Sequence, residues 1–111
     1  MVDLSFLKKF TKDDPIKMKR YISLYLDVAP KTFKEMQENL KIGDWDQLRI
    51  NAHSLKPQAD FMGINSLKEE LVKIEDAVRL NNLGAIEELF KAALNISNIS
   101  EKMLKDMLDQ L

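Results

Sequence analysis

His53 is the one histidine of this 111-residue chain, and it is the side chain whose chemistry is easiest to specify. A neutral imidazole carries a free nitrogen lone pair, so an exposed histidine can act as a nucleophile towards phosphorus. Lys56 would lie one helical turn further on and could neutralise the charge of a phosphate. Alternatively, Lys56 could be an ordinary solvated lysine paired with Asp60, and spacing alone favours that interpretation. The chain has no cysteine, which excludes disulfides, thiolate metal sites and cysteine nucleophiles.

The elements that must position these residues are all predicted to be helices. Only three glycines and three prolines punctuate the chain, and the β-branched residues do not alternate in strand-like runs. The segment LSFLKKF predicts a short amphipathic helix, and Asp14 followed by Pro15 predicts the start of a longer one. Pro30 lies within the apolar stripe of that longer helix, so a kink or a break is expected near Ala29.

Stops and caps delimit the remaining helices: Gly43, Asp44, Gly63, Asn65 or Ser66, and Gly84. Helices are predicted over 44–62 and 66–82, and a last one follows residue 84. The residues of this last helix that should face inward are Ile86, Leu89, Ala93, Ile96, Met103 and Met107. Weak helix formers between Asn95 and Ser100 predict fraying or bending there. The sequence thus predicts one all-α domain, residues 1–111, folded as an antiparallel up-down four-helix bundle with a short extra N-terminal helix.

His53 is predicted to point to solvent. On a wheel of the 44–62 helix, at about 100° per residue, it lies roughly 130° from the centre of the apolar stripe. The stripe consists of Trp45, Leu48, Ala52, Leu55, Ala59 and Met62. This direction argues against the commonest role of a lone histidine, that of a buried and hydrogen-bonded core residue.

Polar and apolar residues accompany His53 on the outer face of the helix. The polar flank consists of Arg49, Lys56 and Asp60, and the apolar strip beside it of Ile50, Pro57 and Phe61. An apolar patch on the outer face of a bundle often marks a partner-binding surface. The alternative is that the strip lies beneath the N-terminal helix or a loop, and that alternative is stronger for Phe61 than for Pro57.

Glu75 is predicted to lie opposite His53. If the 44–62 and 66–82 helices form a hairpin, residues whose numbers sum to about 128 lie at the same level. The Glu75 carboxylate could then accept a hydrogen bond from one ring nitrogen and leave the other reactive. Glu75 could also form an i,i+4 ion pair with Arg79, and the two interpretations are compatible.

The segment AHSLKPQADFMGI, Ala52 to Ile64, resembles the signature of the histidine phosphotransfer (HPt) family. That signature has a phosphoacceptor histidine after alanine, a lysine three residues on and a glycine ten residues on, matched here by His53, Lys56 and Gly63. Flanking positions extend the resemblance over nearly the whole chain: Leu40, Gly43, Asp44, Leu67, Leu71, Glu75 and Arg79.

The resemblance implies a phosphorelay carrier of two-component signalling rather than a stand-alone enzyme. Phosphoryl groups would pass between His53 and the aspartate of a response-regulator receiver domain, and a sensor histidine kinase would be the other partner. The family places an acidic or amide side chain, matched here by Glu75, against the histidine. It implies no metal or cofactor bound by this chain, with Mg²⁺ expected on the partner receiver. The residues expected to bind the partner are Arg49, Ile50, Pro57, Asp60, Phe61 and Arg79.

Two positions depart from the family pattern. Pro57 stands where the family usually has glycine, and it predicts a bend just after His53 and a variant docking surface. Asp60 stands where small residues are common, and its negative charge could narrow the choice of partner.

Composition excludes several other classes of function. Seventeen basic and eighteen acidic residues are interspersed and give a net charge of −1, which argues against a nucleic-acid partner. No apolar run reaches the roughly 18 residues that a membrane span needs, and the start lacks a signal-peptide pattern. A monomeric, cytoplasmic protein is therefore expected.

Two alternatives stay open. One is a helical-bundle module that docks a receiver or kinase without being phosphorylated, and the other is an inert structural bundle. An independent enzyme has little support, because the chain has one histidine and no glycine-rich phosphate loop.

Overall fold

The computed structural model describes residues 1–111, and they form helices without any strand. Five α-helices follow one another: α1 (Ser5–Thr11), α2 (Pro15–Ile42), α3 (Trp45–Phe61), α4 (Asn65–Arg79) and α5 (Ile86–Asp109). A single turn of 3-10 helix, Leu83–Ala85, precedes α5. The predicted all-α class and the short N-terminal helix are thus confirmed.

Capping residues explain where the two longest elements of the N-terminal half begin and end. The Asp14 carboxylate accepts hydrogen bonds from two backbone N–H groups in the first turn of α2, and the Asp44 carboxylate accepts one from the Gln47 N–H in α3. Gly43 and Gly63 both adopt left-handed conformations, with φ of +74° and +69°, which favour glycine after a helix. The predicted side-chain cap of α4 is wrong, because α4 begins after Ile64 without one.

Neither proline interrupts its helix. Of the kink or break predicted near Ala29, the break is wrong, because α2 continues through Pro30 to Ile42, and the kink stays a prediction. Pro30 is exposed, so its ring lies on the outer side of α2 while Ala29 is fully buried in the core. In the same way α3 is continuous through Pro57.

The last helix is also continuous where fraying or bending was predicted. Ser97 and Ser100 are buried in its middle, and their hydroxyl groups have partners there. The Ser100 hydroxyl donates to the Ile96 carbonyl at 2.7 Å, and the Ser97 hydroxyl donates to the Glu101 carboxylate at 3.4 Å. Satisfied hydroxyl groups can be buried at little cost, which lets this polar stretch lie against the core.

The core lies between α2, α3, α4 and α5. Helix α2 packs against α3 and α5, and α4 packs against the same two helices. Ile86 and Ala93 are buried in α5 as predicted, but the rest of its buried face consists of Phe90, Ser97, Ser100 and Leu104. Of the predicted inward residues, Leu89, Ile96 and Met107 are only partly buried. No helix has the length and hydrophobicity to cross a membrane.

A buried amide pair holds α3 against α2 close to the site. The Asn51 side-chain amide donates a hydrogen bond to the Asn39 side-chain oxygen at 2.8 Å, and each residue is 8% exposed. Both amides would be costly to bury without a partner, so this contact favours one rotation of α3. With Asn51 and Ala52 turned inward, the next residue, His53, is turned outward.

Candidate functional site

His53 projects from the outer face of α3, as the helical wheel predicted. Its side chain is 67% exposed, whereas Ala52 and Leu55 beside it in sequence are fully buried. The imidazole is therefore accessible to another protein while its backbone is held in a packed helix. A reactive group on a rigid element can be presented in one orientation.

Glu75 of α4 lies against the imidazole. Its Oε2 is 3.1 Å from His53 Nδ1, a hydrogen-bond distance that agrees with the predicted hairpin register. An ionised carboxylate can only accept hydrogen bonds, so Nδ1 carries the ring proton in this contact. The lone pair of a neutral His53 is then on Nε2, the nitrogen that does not face Glu75.

Lys56 completes the group, but with a different partner from the one that spacing favoured. Its Nζ is 3.0 Å from Oε1 of Glu75, and its side chain is 28% exposed. Asp60 instead pairs with Lys68 of α4 at 3.2 Å, so the Lys56–Asp60 interpretation is wrong. The two oxygens of one carboxylate therefore hold two basic side chains of α3.

Glu75 does not pair with Arg79, which forms its ion pair with Asp76. The i,i+4 interpretation of Glu75 is therefore wrong. Spacing along one helix could not decide this point, because the competing partners, His53 and Lys56, belong to the neighbouring helix.

The environment of Glu75 keeps its carboxyl group ionised. Burial raises the pKa of this carboxyl, since only 9% of the residue is exposed, but the contacts with Lys56 and His53 lower it. The net result is a pKa below the ordinary value for glutamate. At neutral pH the site therefore contains a buried negative charge directed at an exposed imidazole.

The apolar strip beside His53 divides into two parts. Ile50 is 47% exposed and Pro57 is exposed, so nothing in this chain covers them. Phe61 lies beneath α1, with its ring centroid 5.2 Å from that of Phe10 and 5.4 Å from that of Phe6. The alternative, that the strip lies beneath the N-terminal helix, is therefore confirmed for Phe61.

A groove beside Pro57 was not predicted from the sequence. It has a volume of about 350 Å³, and its lining residues are Phe10, Tyr21, Leu24, Tyr25, Pro57, Gln58, Phe61 and Met62. Phe10 and Leu24 are 55% and 54% exposed at its edge. One sequence feature could have indicated the groove: Phe6 and Phe10 are spaced i,i+4 and lie on a different side of α1 from the buried Leu7.

None of the other predicted partner-binding residues forms a hydrogen bond or an ion pair with His53. Arg49 is partly buried one turn before His53, and Asp60 is exposed two turns after it. Arg79 is exposed on α4, one turn beyond Glu75. No three histidine or acidic side chains come close enough together to hold a metal ion.

Comparison with known proteins agrees with this geometry. The family model described as "Hpt domain" matches residues 20–111, which include His53, Lys56, Gly63 and Glu75 and exclude α1. Searches of the curated proteins and of the solved structures gave no significant match. Hpt domains are helical phosphotransfer modules of two-component signalling that interact with kinases and receiver domains. Because the match covers most of the sequence and includes the His53 site, the chain belongs to the Hpt domain family.

Proposed function

We propose that this chain is a phosphorelay carrier whose His53 accepts a phosphoryl group and exchanges it with the aspartate of response-regulator receiver domains. A sensor histidine kinase would be the other partner, and the chain would act as a carrier rather than as a stand-alone enzyme. One observation carries the proposal: an exposed imidazole whose Nδ1 lies 3.1 Å from a buried carboxylate, inside the matched Hpt region.

The proposed reaction is a displacement at phosphorus. The Nε2 lone pair of His53 forms a bond to the phosphorus of the receiver's aspartyl phosphate, and the bond from phosphorus to the aspartate oxygen breaks. The electron pair leaves with the aspartate carboxylate. The ring becomes positively charged as Nε2 bonds to phosphorus, and the adjacent Glu75 carboxylate stabilises that charge through Nδ1.

Lys56 would supply positive charge for the phosphoryl oxygens. It lies on the same helix face as His53, and its present partner, Glu75, also contacts the imidazole. The Mg²⁺ of the transfer would belong to the receiver, and this chain would contribute no metal ligand.

The proposed architecture is an antiparallel up-down four-helix bundle that includes all of residues 1–111 as one domain. Short turns between consecutive helices support it, as does the Asn39–Asn51 pair next to the α2–α3 turn. The Phe33 and Phe90 rings, with centroids 6.0 Å apart, join α2 to α5. The monomeric state and the cytoplasmic location belong to the same proposal.

The docking surface would be centred on the exposed part of the apolar strip. Ile50 and Pro57 have no cover within the chain and lie within one turn of His53. Arg49 and Asp60 of α3 and Arg79 of α4 would form a charged rim around them. Phe61 would contribute at the far edge, where the rings of α1 surround it.

The test is to incubate the chain with a phosphorylated receiver or a small phosphodonor and then to measure intact mass at neutral pH. We expect one acid-labile phosphoryl adduct on the wild-type chain and none on His53→Gln. Melting should hardly change in the variant, because the replaced side chain is exposed. Substantial phosphohistidine in His53→Gln would refute the assignment, and receiver binding without any adduct would favour a docking module that is not phosphorylated.

A further inference from the structure

Each oxygen of the Glu75 carboxylate lies within ion-pair distance of a basic group of the site. Oε2 lies 3.1 Å from His53 Nδ1 and Oε1 lies 3.0 Å from Lys56 Nζ. The Glu75 side chain is 12% exposed, so water screens these contacts poorly. The same negative charge therefore acts on the ring that would carry the phosphoryl group and on the nearest cation that could stabilise it.

The contact with Nδ1 affects how easily a phosphoryl group leaves Nε2. A ring that keeps its Nδ1 proton after phosphorylation is a cation, and it departs as a neutral imidazole when the P–N bond breaks. A ring that has lost this proton would have to depart as an anion, which is far less favourable. Glu75 favours the protonated ring, because an adjacent opposite charge stabilises the charged form of a group.

The contact with Lys56 acts in the same direction. An ammonium group held by a carboxylate is less available to the phosphoryl oxygens, since the two anions compete for it. In the unphosphorylated chain Lys56 is already within ion-pair distance of Glu75, so a phosphoryl group on Nε2 must compete with that contact.

We propose that Glu75, acting as a positioning residue, keeps phospho-His53 short-lived by holding the Nδ1 proton on the ring and by drawing Lys56 away from the phosphoryl group. The proposal rests on the phosphorelay function proposed above. In loss to water, a water oxygen forms a bond to phosphorus while the P–Nε2 bond breaks and returns its electron pair to Nε2. The ring regains its neutral form with the proton on Nδ1, and the protons of the water leave with inorganic phosphate.

The test measures loading and loss separately. Wild-type chain, Glu75→Gln and Glu75→Asp are loaded with a small phosphodonor, the donor is removed, and the acid-labile adduct is followed by intact mass at neutral pH. We expect both variants to load more slowly than the wild type and to lose the phosphoryl group severalfold more slowly. If the role of Glu75 were merely structural, its replacement would not slow both the loading and the loss of the phosphoryl group, because a loosened site would expose the adduct to water.

Controls separate this inference from the function on which it rests. Glu70→Gln removes a carboxylate from the same helix that pairs with Lys73, and it should load and decay like the wild type. Adding Lys56→Met to Glu75→Gln should remove the part of the longer lifetime that comes from the released lysine.

Two outcomes would be decisive against the proposals. Decay at the wild-type rate or faster, in Glu75 variants that remain folded at the assay temperature, overturns the role of Glu75 and leaves the phosphorelay function intact. The absence of any acid-labile adduct on the wild-type chain overturns the phosphorelay function itself. Glu75→Asp keeps a charge at the position while withdrawing it from both contacts, so the test does not depend on the folding of the glutamine variant.

Discussion

The backbone N–H of Asp3 donates a hydrogen bond to the carbonyl oxygen of Gly63 at 3.1 Å. Gly63 ends α3 in a left-handed conformation, with φ of +69°, and a Cβ atom there would overlap the Asp3 backbone. Gly63 lies within the matched Hpt region, and Asp3 lies before it. The glycine therefore has two roles: it stops the helix that carries His53, and it provides space for the segment that leads into α1.

Comparison of the two left-handed glycines tests this double role. Gly43→Ala should cost about 1–2 kcal/mol, the usual penalty for an L-residue in that conformation, because no atom lies nearer than 3.9 Å to the added Cβ. Gly63→Ala should cost clearly more, because the N-terminal segment must also move. The measurement is the free energy of unfolding in denaturant. Equal losses in the two variants would show that the Asp3 contact contributes nothing.

Lys56→Ala should slow phosphoryl transfer and shorten the lifetime of phospho-His53. Its positive charge would stabilise the phosphoryl oxygens, and in the variant the Glu75 carboxylate keeps its hydrogen bond from His53. Transfer rates in both directions and the decay of the adduct provide the measurement. Lys73→Ala removes a lysine from α4 that pairs with Glu70, and it is the matched control. If Lys56→Ala transfers at the wild-type rate in both directions, Lys56 has no role in the chemistry.

Ile50→Lys should weaken receiver docking severalfold or more without loss of stability. Ile50 is 47% exposed beside His53, and a partner that covers it would gain about 25 cal/mol per Å² of apolar surface removed from water. The measurements are receiver-dependent transfer and labelling by a small phosphodonor, and only the transfer should decrease.

Ile99→Lys provides the matched control for Ile50→Lys. Ile99 is similarly exposed, at 42%, on α5, which packs against α2 and α4. An equal effect of the two substitutions on receiver-dependent transfer, or unfolding of Ile50→Lys, would place the docking surface elsewhere.

The contribution of Glu75 to stability should depend on pH. The pKa of its carboxyl is lower in the folded chain than the ordinary value, because contacts with Lys56 and His53 outweigh its burial. A carboxyl group whose pKa is lower in the folded chain than in the unfolded chain stabilises the fold at pH values above its unfolded-state pKa, near 4.3. That contribution disappears as the pH falls through the folded-state pKa. The difference in melting temperature between wild type and Glu75→Gln should therefore be largest at neutral pH and shrink in acid. A difference that is constant from neutral to acidic pH would contradict this assignment of the shift.

Much of the His53 site could be predicted from the sequence because helical geometry is regular. A period of 3.6 residues turns His53 outward once Ala52 and Leu55 are turned inward, and their burial confirms that direction. The same regularity, applied across a short hairpin, placed Glu75 opposite His53. Caps and stops such as Asp44 and Gly43 are local as well, since each depends on a few neighbouring residues.

The inner face of α5 is one feature that periodicity alone did not determine. Two adjacent stripes of this helix carry apolar residues, and the structure buries the one that contains Ser97 and Ser100. Hydrogen bonds to the Ile96 carbonyl and to Glu101 make that choice possible, and they exist only once the helix is packed.

What the sequence by itself determined is the class of fold, the outward direction of His53 and the level at which Glu75 faces it, because each follows from local periodicity and turn chemistry. Only the tertiary structure determined which residue each charged side chain pairs with and which residues cover each apolar side chain. Lys56 contacts Glu75 rather than Asp60 because α4 brings a carboxylate within 3.0 Å. Phe61 is covered because α1 folds back over the end of α3, a contact between residues more than fifty positions apart in the chain.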